Sequence, residues 1–214
     1  MTLKANPVRT SKVIKILMDW YIGKNGKREG LMSSVRIKEF SPPEGVQRGS
    51  YEHIMWLTLA VSIDYQRDAD DLWDAARLTW KDEFTRWVFV PNELRRRSYD
   101  DLVIALAKYG LSRKPNKDAK IWSKVSNSFL TLFEGDPRKL FQLYNNDALE
   151  IYNQMRSKYR TDFPYLAGAS GTSKILSLWL RMMQHTADVN LHNIENVPLP
   201  IDVHTARATL TKGV

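Results

Sequence analysis

Lys174 and Asp202 are the two residues of this chain whose types and surroundings allow covalent chemistry. Gly168 and Gly171 bracket a tight loop, and Thr172 or Ser173 supplies an N-cap after it. The lysine therefore falls in the first turn of a helix, where the positive end of the macrodipole disfavours an ammonium. An amine that gives up its proton there is a nucleophile toward carbon and can form a Schiff base. Asp202 ends the stiff approach Pro198, Leu199, Pro200, Ile201 and opens a second helix. As an N-cap its carboxylate would be fixed by backbone amides. So fixed, it stays ionised and can face a developing positive charge. The two roles are compatible. The loop itself, through Gly168, Ser170, Gly171 and Thr172, reads either as a plain interhelical turn or as a cradle of amides for a phosphate.

The elements that must position these residues are helical. Val13, Ile14, Leu17, Met18 and Tyr21 recur at three- and four-residue steps, and residues 51–63 form an apolar segment suited to a buried central helix. A helix over 68–80 carries Leu72, Trp73 and Ala76 on one face. Asp100 or Asp101 caps a helix that Gly110 ends, and Gly135-Asp136-Pro137 closes a long helix through Ile121, Val125, Phe129 and Phe133. Asp147 starts another, and 174–184 follows the loop. Strand alternation is confined to a short extended arm at 34–40. An all-α fold is expected, with internal boundaries at 42–45 and 190–200.

Composition narrows the chemistry. The net charge of +8, from 32 Lys plus Arg against 24 Asp plus Glu, suits a polyanionic partner. Positive charge gathers in 1–50 and 91–124, including Arg95, Arg96 and Arg97 and the run from 113 to 124, whereas 64–93 is acidic. Cysteine is absent, which excludes disulfides, thiolate nucleophiles and an iron–sulfur cluster. His53, His185, His192 and His204 show no metal-ligand spacing, so neither a metal nor another cofactor is expected. With no apolar leader in 1–11, the expectation is an intracellular, cytoplasmic protein without membrane contact.

The order of glycine-bearing loop, helix-opening Lys174, linker, and then Pro200-Ile201-Asp202-Val203-His204 with Arg207 beyond resembles the helix-hairpin-helix DNA glycosylases. With Arg181-Met182 after the lysine, it is most similar to the archaeal 8-oxoguanine glycosylases. The resemblance spans residues 50–210. It departs from the common pattern in the loop Leu166-Ala167-Gly168-Ala169-Ser170-Gly171, which lacks the usual proline and is longer. It implies one domain over 1–214 with two helical lobes around a DNA-binding cleft: 1–50 with the C-terminal part, a central lobe at 51–150, and the hairpin region at 147–186.

The same resemblance implies base excision from double-stranded DNA by a monomer, with AP lyase activity and 8-oxoguanine as the favoured lesion. Lys174 would attack the sugar and Asp202 would stabilise its positive charge. Gln66, with Tyr65, would fill the gap left by the flipped nucleotide. Trp179 and the other tryptophans offer faces for a base. Two further readings stay open: a helix-hairpin-helix DNA-binding protein without catalysis, and an unrelated basic helical interaction protein.

Overall fold

The computed structural model describes residues 6–22, 41–168, 173–201 and 203–212. Among the described residues the chain is helical and holds no strand; a lone bridge joins Asp147 and His192. No helix among them is long and apolar enough to cross a membrane. The extended arm expected at 34–40 lies outside the described residues. Two compact units divide the chain, one of 1–37 with 201–214 and one of 38–200. The first contributes α1 (Pro7–Ile22) and α11 (Val203–Lys212). On α1 the apolar side chains Ile14, Leu17 and Met18 are exposed.

The second unit is built around α2 (Tyr51–Ser62), in which every residue from His53 to Ser62 is buried. Ser50 caps it, its Oγ accepting from the His53 N–H. The acidic helix α3 (Ala69–Lys81) opens on Asp68, and α5 (Tyr99–Ala107) opens on Ser98 rather than on either expected aspartate. Asp101 instead completes a capping box three residues on, its carboxylate accepting from the Ser98 N–H. The long helix α6 (Pro115–Phe133) buries Ile121, Trp122, Val125, Phe129 and Phe133, the spacing of one face. Gly135-Asp136-Pro137 does close it. The same residues start α7 (Pro137–Leu143), where the Asp136 side chain accepts from the Arg138 N–H and proline supplies the first-turn φ. The short α4 (Pro91–Leu94) begins in the same way. The remaining elements are α8 (Ala148–Arg156), α9 (Pro164–Ala167) and α10 (Lys174–His185).

α10 buries Leu176, Trp179, Leu180 and Met183 and runs antiparallel to α2. Arg48, just before α2, donates to the His185 carbonyl at 2.8 Å and pairs with Asp188 beyond α10. Gly49 sits so close to the Ala187 carbonyl that a Cβ would approach its oxygen to 2.9 Å. Midway, the Trp179 indole N–H donates to Thr58 Oγ1 at 2.9 Å. Phe129 and Phe141 pack on the same indole. Removing such a side chain costs about 3–5 kcal/mol. Trp179 is therefore a core residue with no exposed face for a base, which corrects the expectation placed on it. Of the other tryptophans only Trp20, on α1, is exposed.

Candidate functional site

α9 and the start of α10 are fixed by one buried serine. The Ser173 N–H donates to the Tyr152 hydroxyl at 3.1 Å, its Oγ–H donates to the Leu166 carbonyl, and its Oγ accepts from the Leu176 N–H. Gly168, at φ +76, turns the chain against this residue; a Cβ on it would lie 3.3 Å from the Ser173 side chain. Its N–H donates to the Pro164 carbonyl at 3.1 Å, so this amide is committed within the turn rather than offered to a phosphate. Ser170, Gly171 and Thr172 lie outside the described residues, as does Asp202. Lys174 follows the locked cap directly. It is the first residue of α10 and its side chain is exposed.

The antiparallel packing brings the start of α10 to the C-terminal end of α2. There the chain turns through Asp64, Tyr65, Gln66 and Arg67. The Asp64 carboxyl is raised above the ordinary range by burial, against the opposing pull of the Lys174 and Arg67 cations. Gln66 is exposed and holds the left-handed conformation at φ 52, uncommon for a residue with a Cβ and frequent at functional turns. Its side-chain oxygen accepts from Lys114 Nζ at 2.8 Å, and its carbonyl accepts from Arg113.

Tyr65 turns the other way and donates its hydroxyl proton to Asp118. Burial first, and that hydrogen bond second, push the phenol well above its usual range, so it stays a donor. Asp118 is 3% exposed and accepts from three more groups: the Ser112 hydroxyl at 2.9 Å, the Arg113 N–H at 3.0 Å and the Lys114 N–H at 2.9 Å. Four donors without a side-chain cation among them satisfy this carboxylate. It therefore shapes the turn before α6 while leaving the Arg113 and Lys114 head groups unpaired with acid. The Lys117 ammonium lies 4.4 Å from the centre of the Tyr65 ring.

Arg67 crosses to the same turn, donating to the carbonyls of Leu111 and Gly110. Burial and then repulsion from Arg113 both disfavour its charge. Crowding of like charges is what a site for an anion requires. Between these residues is a cavity of about 110 Å³ lined by Ile63, Tyr65, Gln66, Arg67, Arg113, Lys114 and Asp118. At about 30 Å³ per water it holds a few waters or one small anionic group.

The structure thus brings together Lys174, Tyr65 and Gln66 from the sequence reading. It adds Asp64, Arg67, Arg113, Lys114, Lys117 and Asp118, which that reading had not singled out. A turn that follows a wholly apolar helix and carries both acid and base was the available signal for Asp64 and Arg67. Arg95, Arg96 and Arg97 are exposed in the turn after α4, with the Arg97 guanidinium 5.4 Å from the centre of the Trp87 ring. Among the described residues no group of histidines and carboxylates is arranged to hold a metal ion. No family model, curated protein or solved structure matches this chain.

Proposed function

We propose that the chain is a DNA glycosylase with AP lyase activity, excising a damaged base from duplex DNA through Lys174. One observation carries this reading: an exposed helix-opening lysine shares an end of the α2–α10 pair with a left-handed glutamine turn backed by four cations. Each part answers a requirement of base excision. Arg67, Arg113, Lys114 and Lys117 attract the phosphate backbone. Gln66, projecting from a fixed turn, occupies the gap left when a nucleotide leaves the stack. Lys174 Nζ, once deprotonated, attacks C1′ as the bond from C1′ to the base breaks and its electron pair leaves with the base. Loss of a proton from the attached nitrogen and opening of the sugar ring at O4′ give the Schiff base from which the 3′ phosphate is eliminated. Asp202 is assigned to stabilise the positive charge at C1′.

The favoured lesion is 8-oxoguanine, which differs from guanine in an N7–H donor. An acceptor aimed at that donor would be left unpaired by guanine, at about 1–3 kcal/mol. Borohydride trapping on duplexes carrying single lesions tests the whole reading. A covalent adduct that maps to Lys174 and vanishes in Lys174→Gln is expected, strongest with 8-oxoguanine. An adduct that persists undiminished in Lys174→Gln overturns it.

A further inference from the structure

The register of the α2–α10 pair runs without a break from one end to the other. Arg48 and Gly49 meet residues 185–188, and Thr58 meets Trp179. Continued by the rise of two antiparallel helices, about 1.5 Å per residue, the same register carries Asp64 to the level of Lys174. No hydrogen bond or ion pair joins the two directly, yet each is within electrostatic reach of the other. We infer that Asp64 is a positioning residue for Lys174, its carboxylate facing the ammonium across the open end of the helix pair and setting the pH at which Nζ is ready to react.

The neighbourhood leaves this role to Asp64. The elements packed on α10 here are α2, α8 and α9. Their other titratable or charged groups at this end are Arg67, Tyr65, Arg156, Tyr152 and Tyr165. None is a carboxylate. Arg156 donates to the Ala167 carbonyl, Tyr152 accepts from Ser173, and Tyr65 is bonded to Asp118. Asp118 is satisfied by its four donors. Asp64 alone among them has no hydrogen-bond donor to hold its carboxylate. Burial on that carboxylate is offset by the facing cations, first Lys174 and then Arg67. Space without a direct contact is also what a lysine that must swing onto a sugar carbon requires.

The consequence for base excision rests on the reading of Lys174 proposed above; the pairing itself does not. The first experiment is therefore independent of DNA. The Asp64 carboxyl carbon, assigned through Asp64→Asn, is titrated by NMR in the parent and in Lys174→Gln and Lys174→Arg. Loss of the cation in Lys174→Gln raises the midpoint by about half a pH unit, and Lys174→Arg keeps the parental value. A midpoint unmoved in Lys174→Gln overturns the pairing. The second experiment follows the borohydride adduct against pH. In Asp64→Asn its acid limb moves to lower pH by a similar amount, and Asp64→Glu restores the parental limb. A purely structural role would lower the yield at every pH without moving the limb, and that result overturns the inference. Should the NMR midpoint shift while no adduct forms on any lesion, the pairing stands and the glycosylase reading fails.

Discussion

Two carboxylates, Asp118 and Asp82, each gather several donors at an inter-helix turn, and they leave the surrounding charge in opposite states. Asp118 is buried and takes two hydroxyls and two backbone amides, so the cations beside it point elsewhere. Asp82, after α3, takes the Lys108 ammonium at 2.6 Å together with the Tyr109 hydroxyl and the Phe84 N–H. Lys108 foremost, then the Phe84 amide, holds that carboxyl down at about 2. At the Asp82 turn positive charge is consumed inside the structure, whereas at the Asp118 turn neutral donors do the structural work and Arg113 and Lys114 remain to meet an anion. Net charge says little about a binding surface. What matters is which donors satisfy the acids.

The sharpest way to break this comparison is Asp118→Asn. An amide cannot accept from four donors, and buried groups left unpaired cost about 2–4 kcal/mol in total. Thermal and urea unfolding should register that loss, with weaker binding to damaged and undamaged duplex alike as the turn before α6 loosens. Parental stability would show that the four hydrogen bonds are dispensable.

A smaller effect on the fold, confined to binding, is expected from changing Arg113, Lys114 and Lys117 together to alanine. Each phosphate contact adds about 0.9 to the slope of log affinity against log salt. The triple variant should lower that slope by about 2–3 and leave Tm nearly unchanged. The same measurement on Arg95, Arg96 and Arg97 gives the control, since these sit in another turn. If only the second triple flattens the slope, the DNA-facing side is the α4 turn and the comparison has been drawn around the wrong residues.

The smallest effect belongs to Asp82→Asn. Its exposed pair with Lys108 is screened, so the salt slope should not move and Tm should fall only slightly at neutral pH. Because the folded carboxyl lies below its unfolded value, its contribution is present above about pH 3.8 and fades as the pH drops toward 2. Parent and variant should therefore converge in acid. A gap that persists at pH 2 would mean Asp82 contributes through packing and not through charge.

Periodicity made most of the second unit legible. Leu176, Trp179, Leu180 and Met183 on α10, or Ile121, Val125 and Phe129 on α6, declare a buried face by spacing alone. What spacing conceals is the partner. Trp179 has the type of a base-stacking residue, and only the Thr58 hydroxyl waiting for its N–H shows it to be core. Asp118 lies within a basic run and reads as one stray acid, because its four donors come from three separate stretches of chain. Asp64 was hidden for the same reason: its counterpart is on a helix far along the sequence, and the register that aligns them is set by Gly49 and Arg48 at the opposite end. Lys174 was legible because a cap serine, an N-terminal position and a glycine turn are all local features. Its expected partner Asp202 lies outside the described residues.

The complete burial of α2 bears on how the molecule opens. Amide hydrogens in 54–62 have packed neighbours on every side, so they should exchange only through the largest unfolding event available to this unit. The turn carrying Gln66 grows directly from that slowest-exchanging helix, while Arg113 and Lys114 stand on a loop held through one carboxylate. Under partial denaturation the glutamine should stay anchored after the cations have come loose, and native-state exchange would show the two halves of the site protected to different degrees.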